Sequence, residues 1–274
     1  MIPVTFDYER AESADEAVAL LTEHGEDAKL IAGGHSLLPL MKLRLASPSV
    51  LVDVGRLDGL SYVRDVGDTV SIGALTRHHT LETDETLRRE APLLAAVAGR
   101  VGDPQVRHRG TIGGSIAHGD PASDLPAAVL ALDGQMVIVG PGGERVVAAG
   151  DFFGGFLETA LGPDEMLTEI RVAKSPGGHA YQKFVRRAQD WAMVGVAVAR
   201  VNGSSAVALV NMGPTPLRAT AVEDALAAGA PAAEAAQLAD RDTDPTEDAN
   251  ATRDFRRHLA RVLTRRALEG AGVP

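Results

Sequence analysis

The chain has 274 residues, 45% of them hydrophobic, enough for one large domain or two smaller ones with real cores. A formal charge of −10, from 27 basic and 37 acidic residues, argues against nucleic acid or an anionic membrane as partner, but not against an anion held locally by oriented backbone amides. Cysteine is absent, which excludes disulfides, thiolate zinc sites, a catalytic thiol and any iron–sulfur cluster on this polypeptide. The N-terminal residues have no apolar signal core, and no apolar run reaches the length of about 18 residues that a membrane span needs. A soluble, cytoplasmic protein with no transmembrane segment is therefore expected.

In chain order, Pro3 to Tyr8 alternates and reads as a short strand. Ser13 and Glu16 form a capping box before a helix carrying Ala14, Val18 and Leu21, with Gly25 as its stop. Lys29 to Ala32 reads as a strand entering a first glycine loop, Gly33-Gly34-His35-Ser36. Leu37 to Ala46 reads as a packed segment. If it is extended, Lys42 and Arg44 share a face, either reaching solvent or lying near a ligand. Val50 to Val54 has a buried-strand pattern. Ser61–Val66 and Thr69–Gly73 flank Gly67-Asp68 as a hairpin. Arg77 to Leu87 and Ala91 to Val101 read as two helices, and Val101 to Gly110 as a loop. Leu125 to Leu132 reads as a helix capped by Ser123 or Asp124. Gln135–Val139 and Arg145–Ala148 form a second hairpin, and Met166 to Val172 is a strand. Beyond a turn-rich linker at 174–178, Ala180–Arg186, Ala192–Val201 and Ala206–Asn211 read as strands, the last two joined by Asn202-Gly203. Ala-rich helices follow, the last from about residue 247 to 269. Strands followed by helices suggest an α+β second domain.

The most informative stretch is Gly110 to Ala127. Gly110, Gly113 and Gly114 surround Thr111 and Ser115, and Asp120 and Asp124 follow. Glycines let a backbone approach a ligand closely, and neighbouring hydroxyls add donors without bulk. Together with the loop at Gly33-Gly34 this suggests two walls of one nucleotide site, although either glycine pair alone could be an ordinary turn. His35 could simply orient its loop. His118 could face a ligand or only the turn at Asp120. Asp124 could cap a helix, meet a ligand, or do both. His78 and His79 read as a helix-start or surface pair, and the histidine spacing does not suggest a metal cluster. Trp191, the sole tryptophan, could be a core anchor. Arg186 and Arg187 could be a solvated face or meet a partner. No Ser–His–Asp set or carboxylate pair stands out, so no catalytic acid or base is assigned.

AGGHSLLPLMKLRLA (32–46) and GDPQVRHRGTIGGSIAHGDPASDLPA (102–127) closely resemble the FAD-binding medium subunits of molybdenum hydroxylases. The carbon monoxide dehydrogenase branch is nearer than the xanthine dehydrogenase branch. KFVRRAQDWAMVGVAV (183–198) resembles the start of that family's C-terminal domain. The resemblance implies two α+β subdomains of the vanillyl-alcohol-oxidase (PCMH) type, about 1–56 and 57–173, holding FAD between them. A small C-terminal α+β domain would span 174–274. It further implies that Ala32, Gly33, Gly34, His35, Ser36 and Leu37, and then Thr111, Gly113, Gly114 and Ser115, give amides and hydroxyls to the pyrophosphate. His118, Asp120 and the family's acidic contact Asp124 would complete that wall. Leu167 aligns with a backbone contact, Val101 lies where relatives carry a larger residue, and Trp191 stands where they carry Tyr beside the isoalloxazine. Trp can stack there but lacks the phenol.

The family binds FAD noncovalently, so His35 is expected to be free. The implied function is electron transfer within a complex. A large molybdenum-cofactor subunit oxidises substrate, a small subunit with two [2Fe–2S] clusters relays electrons, and FAD passes them to quinone, NAD or oxygen. The implied assembly is a dimer of heterotrimers. Two alternatives stand beside it: a free-standing flavin oxidase with FAD covalently on His35, or a non-enzymatic flavin-binding partner protein.

Overall fold

The computed structural model describes residues 2–274. The first unit is a three-stranded parallel sheet in the order Asp7–Arg10, Val50–Asp53, Ala28–Ile31. The helix Ala14–His24 covers it with Ala17, Val18 and Leu21. The Ser13 hydroxyl accepts from the Glu16 amide at 3.0 Å, and Gly25, at φ 58°, ends the helix. The first strand begins later than the alternation suggests. Pairing starts only where the Asp7 amide reaches the Ser49 carbonyl, and Pro3 has no N–H to give.

Leu37–Lys42 is a short helix, not an extended segment. Gly34, at φ 73°, turns the chain into it. Pro39 sits in its first turn, where a missing N–H costs nothing, and Met41 is fully buried. Lys42 and Arg44 therefore do not share a strand face, and Arg44 has a left-handed backbone.

The second unit is a five-stranded antiparallel sheet in the order Val63–Val66, Thr69–Gly73, Met166–Ala173, Gln135–Gly140, Gly143–Ala148. Its own helices pack on one face, and the helix Ala14–His24 of the first unit packs on the other, against Met166 and Val139. The expected helix over 77–87 is two, His78–Thr83 and Glu85–Glu90, because Asp84 accepts from the Leu87 amide at 2.9 Å and starts a new helix. The expected loop at 101–110 contains a helix, Pro104–Arg109. Asp103 caps it, accepting from the Val106 amide at 2.8 Å, and Pro104 occupies its first position.

The third unit is a four-stranded antiparallel sheet, His179–Phe184, Val194–Val201, Ser204–Val210, Leu217–Arg218. Asn202 and Gly203, at φ 51° and 83°, make its central hairpin turn. Alternate residues of these strands enter different cores. Ala197, Ala199, Ala206 and Ala208 face the helices Pro92–Ala98 and Asp124–Ala131. Val196, Val198, Val207 and Leu209 face the helix Arg253–Gly270. Both faces are therefore covered, and the small alanines let the third unit dock closely on the second. The final helix begins at Arg253, after the cap Thr252, rather than near 247. Before it, residues 240–248 run beside it, tied by Arg261–Asp240 at 2.6 Å and Arg256–Asp248 at 2.9 Å.

Candidate functional site

A cleft of about 860 Å³ runs between the first two units and is closed at one end by the third. All the residues that the resemblance assigns to the cofactor line it except Asp120. The Asp120 carboxylate instead accepts from the Ala122 amide at 2.8 Å, and its carbonyl accepts from Ser123, so it shapes the turn before the next helix. Lys42 and Arg44 do not line the cleft.

The two glycine motifs are built differently. In the first, no acceptor within the described residues meets the backbone amides of Gly33, Gly34, His35, Ser36 or Leu37. Five consecutive unpaired donors on a cleft wall form an anion cradle. Gly33 is required by space. A Cβ there would sit 2.5 Å from the Arg109 carbonyl oxygen and 2.9 Å from the Gly110 Cα. His35 is exposed, and its Nδ1 lies 3.1 Å from the Gly33 carbonyl, across the turn.

The second motif is the first turn of a helix, Ile112–His118, capped by Thr111 and ended by Gly119 at φ 63°. Its amides are occupied. Ile112 donates to Thr76, Gly113 to Ala74 at 2.8 Å, Gly114 to the Thr111 hydroxyl at 3.1 Å, and Ser115 to the Thr111 carbonyl. This wall therefore offers hydroxyls and close backbone approach, but not the free amides expected of it. Gly113 is required because a Cβ would meet that of Ala74 at 2.5 Å.

Asp124 lies at the start of the buried helix Asp124–Ala131, but neither its side chain nor that of Ser123 caps it. Its carboxylate accepts from the Tyr181 hydroxyl and, at 2.8 Å, from the Lys183 ammonium. The side chains of Lys183 and Asp124 are only 4% and 6% exposed. Burial pushes the Asp124 carboxyl up, opposed by the Lys183 charge, and burial pushes the Tyr181 phenol well up. The triad bolts the third unit to the cleft floor. Lys183 also lines the cleft and was not singled out from the sequence. The available signal is its i,i+2 spacing from Tyr181, which puts both side chains on one face of the strand.

Val101 is half-buried, and Leu167 is buried beside a register shift in its strand. Burial lowers the pKa of His118, on the same wall. Trp191 is not a core anchor. It is 54% exposed on the rim, at the end of an arm in which Gln189 has φ 67°. The arm is held where the Ala192 carbonyl accepts from Asn211 at 2.8 Å and the Met193 carbonyl accepts from buried Arg256. Of the two adjacent histidines, His79 is exposed, but His78, which does start a helix, is buried on the cleft wall rather than on the surface. Burial, with Arg77 nearby, lowers its pKa to about 4.

A cleft between two α+β units, with an amide cradle on one wall and hydroxyls on the other, fits a dinucleotide with a diphosphate at its middle. Residues 4–175 match the family described as the FAD binding domain in molybdopterin dehydrogenase, and residues 179–271 match the CO dehydrogenase flavoprotein C-terminal domain. The chain belongs to this family of FAD-binding oxidoreductase subunits. It is 44% identical to the carbon monoxide dehydrogenase medium chain of Hydrogenophaga pseudoflava, over 99% of this chain and 98% of that one. It is 35% identical to the 6-hydroxypseudooxynicotine dehydrogenase complex subunit alpha of Paenarthrobacter nicotinovorans, over 99% and 96%. A solved carbon monoxide dehydrogenase from H. pseudoflava, lacking the Mo-pyranopterin moiety of its cofactor, superposes with a TM-score of 0.95 at 44% identity, covering 99% of both chains. The cofactor is FAD, bound noncovalently. No helix among the described residues is long and apolar enough to cross a membrane.

Proposed function

We propose that this chain is the electron-transfer subunit of a molybdenum hydroxylase complex and holds FAD in the cleft described above. Its partners are a large molybdenum-cofactor subunit and a small subunit with two [2Fe–2S] clusters, assembled as a dimer of heterotrimers. The observation that carries the reading is the run of unpaired amides from Gly33 to Leu37 facing the Thr111 and Ser115 hydroxyls across one cleft. The lack of cysteine requires the iron–sulfur relay to sit on another chain.

FAD, when bound, supplies the exchange between single-electron donors and a terminal acceptor. The protein's own residues bind and orient it. The Gly33–Leu37 amides hold the diphosphate, and exposed Gly114 leaves room for the opposite side to approach, while Gly113 lets the helix behind that wall pack on Ala74. Lys183, fixed by Asp124, places a buried positive charge at the cleft floor. Trp191 on the rim offers an aromatic face where the ring system would emerge. We assign the roles of Ala32, His35, Ser36, Val101, His118 and Leu167 as contacts lining the same cofactor, and the domain division at about residues 56 and 173. The relatives' printed names cover carbon monoxide and a nicotine derivative. This chain's cleft selects the cofactor, and the large subunit's substrate is set elsewhere.

The test is to purify the native protein with its partners, record its absorption spectrum, and precipitate it with acid. Flavin in the supernatant, with large and small chains co-purifying, is the expected result. Flavin retained on the precipitated chain, with no partners, would overturn the reading and make His35 the anchor of a free-standing oxidase.

A further inference from the structure

Three histidines line the cleft, and only His78 is buried, at 4% exposure. Its Nδ1 is sealed from solvent and has no hydrogen-bond partner among the described residues. No group among the described residues bonds its Nε2, which lies on the Gly110 side of the ring. A Cβ on Gly110 would come within 2.6 Å of that atom. A neutral imidazole carries one N–H and one lone pair. A sealed, unbonded N–H is the rarer orphan in folded proteins, so the proton belongs on Nε2 and the lone pair on Nδ1. Burial and the nearby Arg77 charge keep the ring neutral.

The position of this unused donor is informative. The Gly33 backbone lies directly on Gly110, with no room for a Cβ between them, and Gly110 lies directly on the His78 ring. His78 also donates its backbone N–H to the Gly110 carbonyl at 3.1 Å, which fixes the ring against that residue. Gly110 thus packs on both the cradle and the imidazole, and all three line the same cleft with no side chain separating them. No group among the described residues uses the Nε2–H and, unlike Nδ1, Nε2 is not sealed from solvent, so this donor stays open on a cleft-lining ring where a ligand can complete it.

We propose that His78 is a further cofactor-binding residue, donating its Nε2–H to the diphosphate of the bound dinucleotide and adding a donor without adding a charge. This rests on the reading that the Gly33–Leu37 cradle holds that diphosphate.

The test uses the full chain stripped of flavin and titrated with FAD and with ADP, in wild type, His78→Leu and His78→Gln. His78→Leu is expected to weaken both ligands about tenfold or more, as loss of a hydrogen bond to a charged group does. His78→Gln, whose terminal amide can present an N–H near the Nε2 position, should recover most of the loss. The flavin-free His78→Leu protein should melt no lower than wild type, because an unpaired buried polar group has been replaced by an apolar one. A structural histidine would behave in the opposite way, and a lowered melting temperature with unchanged ADP affinity would overturn the proposal. So would a loss confined to FAD with ADP unaffected. Gly34→Ala separates the two levels. If it leaves ADP affinity intact, the cradle reading fails. If it weakens ADP while His78→Leu does not, the His78 assignment alone fails.

Discussion

Two stretches of this chain read almost alike, Gly33-Gly34-His35-Ser36 and Gly113-Gly114-Ser115 after Thr111, yet they do different physical work. The first is an irregular turn whose successive amides find no partner among the described residues. The second is a helical turn whose amides are all consumed, two of them by the strand-end segment at Ala74 and Thr76. In the first, glycine allows the backbone to present donors. In the second, glycine allows a helix to lie against another backbone, and the side-chain hydroxyls of Thr111 and Ser115 are what that wall brings to the cleft. The same residue types therefore predict binding in one wall and packing in the other. Substitutions should split accordingly between affinity and stability.

The largest effect is expected where the second wall is bolted to the third unit. Lys183→Met leaves the Asp124 carboxylate buried with the Tyr181 hydroxyl as its one hydrogen-bond donor and the Arg100 charge nearby. Breaking one side of a buried pair costs about 3–5 kcal/mol, so urea unfolding of the flavin-free protein should show a loss of that order. A double variant that also replaces Asp124 with Leu should recover much of it, because no stranded charge remains. If Lys183→Met instead leaves stability untouched and affects only flavin binding, the triad is a ligand contact rather than a bolt.

The next effect is in pH. The folded-state pKa of His78 is lowered to about 4, below the ordinary value of 6.5. The unfolded chain therefore binds more protons between these values, and stability rises with pH across that window. Between pH 7 and pH 4 the flavin-free protein should lose up to about 3 kcal/mol from this one group. His78→Leu should flatten that part of the profile, as followed by urea midpoints at fixed pH. The half-buried His118, also lowered by burial, contributes in the same direction and would survive the substitution.

Much of this arrangement was legible beforehand, and the failures have physical causes. The Ser13 cap, the Asn202-Gly203 turn and the alternating buried strands are local signals that carried through, although Glu16 reaches back to the Glu12 amide at 2.6 Å rather than to Ser13 and so leaves the capping box half made. The two walls were recognisable because glycine pairs beside hydroxyls are unusual twice in one chain. What the sequence could not show was where each amide sends its hydrogen bond. The Ala74 and Thr76 carbonyls that occupy the second motif come from more than 35 residues upstream. Burial of His78 is likewise tertiary, since its neighbour His79 has the same local surroundings and is exposed. The helix Pro104–Arg109 was missed although Asp103-Pro104 is a sound helix start, because the polar run after it has no apolar period. Lys183 carries a charge that by itself marks it as exposed, against the i,i+2 spacing that puts it on the same strand face as Tyr181. Only the packing of that strand over Asp124 turns it inward.

A third comparison lies in the glycines of the second wall. Gly113→Ala introduces a Cβ 2.5 Å from that of Ala74 and 2.7 Å from its carbonyl oxygen, both fixed by the strand beneath. Overpacking of this kind costs about 1–3 kcal/mol. The expected result is a lower melting temperature with FAD affinity little changed at temperatures where the protein stays folded.

The converse variant, with the smallest effect on stability, is Gly34→Ala. Its φ of 73° disfavours any residue with a Cβ, and the new atom would lie 3.0 Å from the end of the Leu38 side chain, which can move. The strain is therefore mainly backbone, about 1–2 kcal/mol. The loop can relieve part of it because its N–H groups have no acceptor among the described residues, although the Gly34 carbonyl still accepts from the Leu38 amide at 3.0 Å. That freedom is what costs affinity, since relaxing the turn rotates the same N–H groups that form the cradle. Gly34→Ala should shift the melting temperature of the flavin-free chain less than Gly113→Ala does, while weakening FAD more, by roughly tenfold if about one charged hydrogen bond is lost. Measured side by side, the two alanine variants should exchange rank between calorimetry and flavin titration. Equal rank in both would mean that the two motifs do the same work after all.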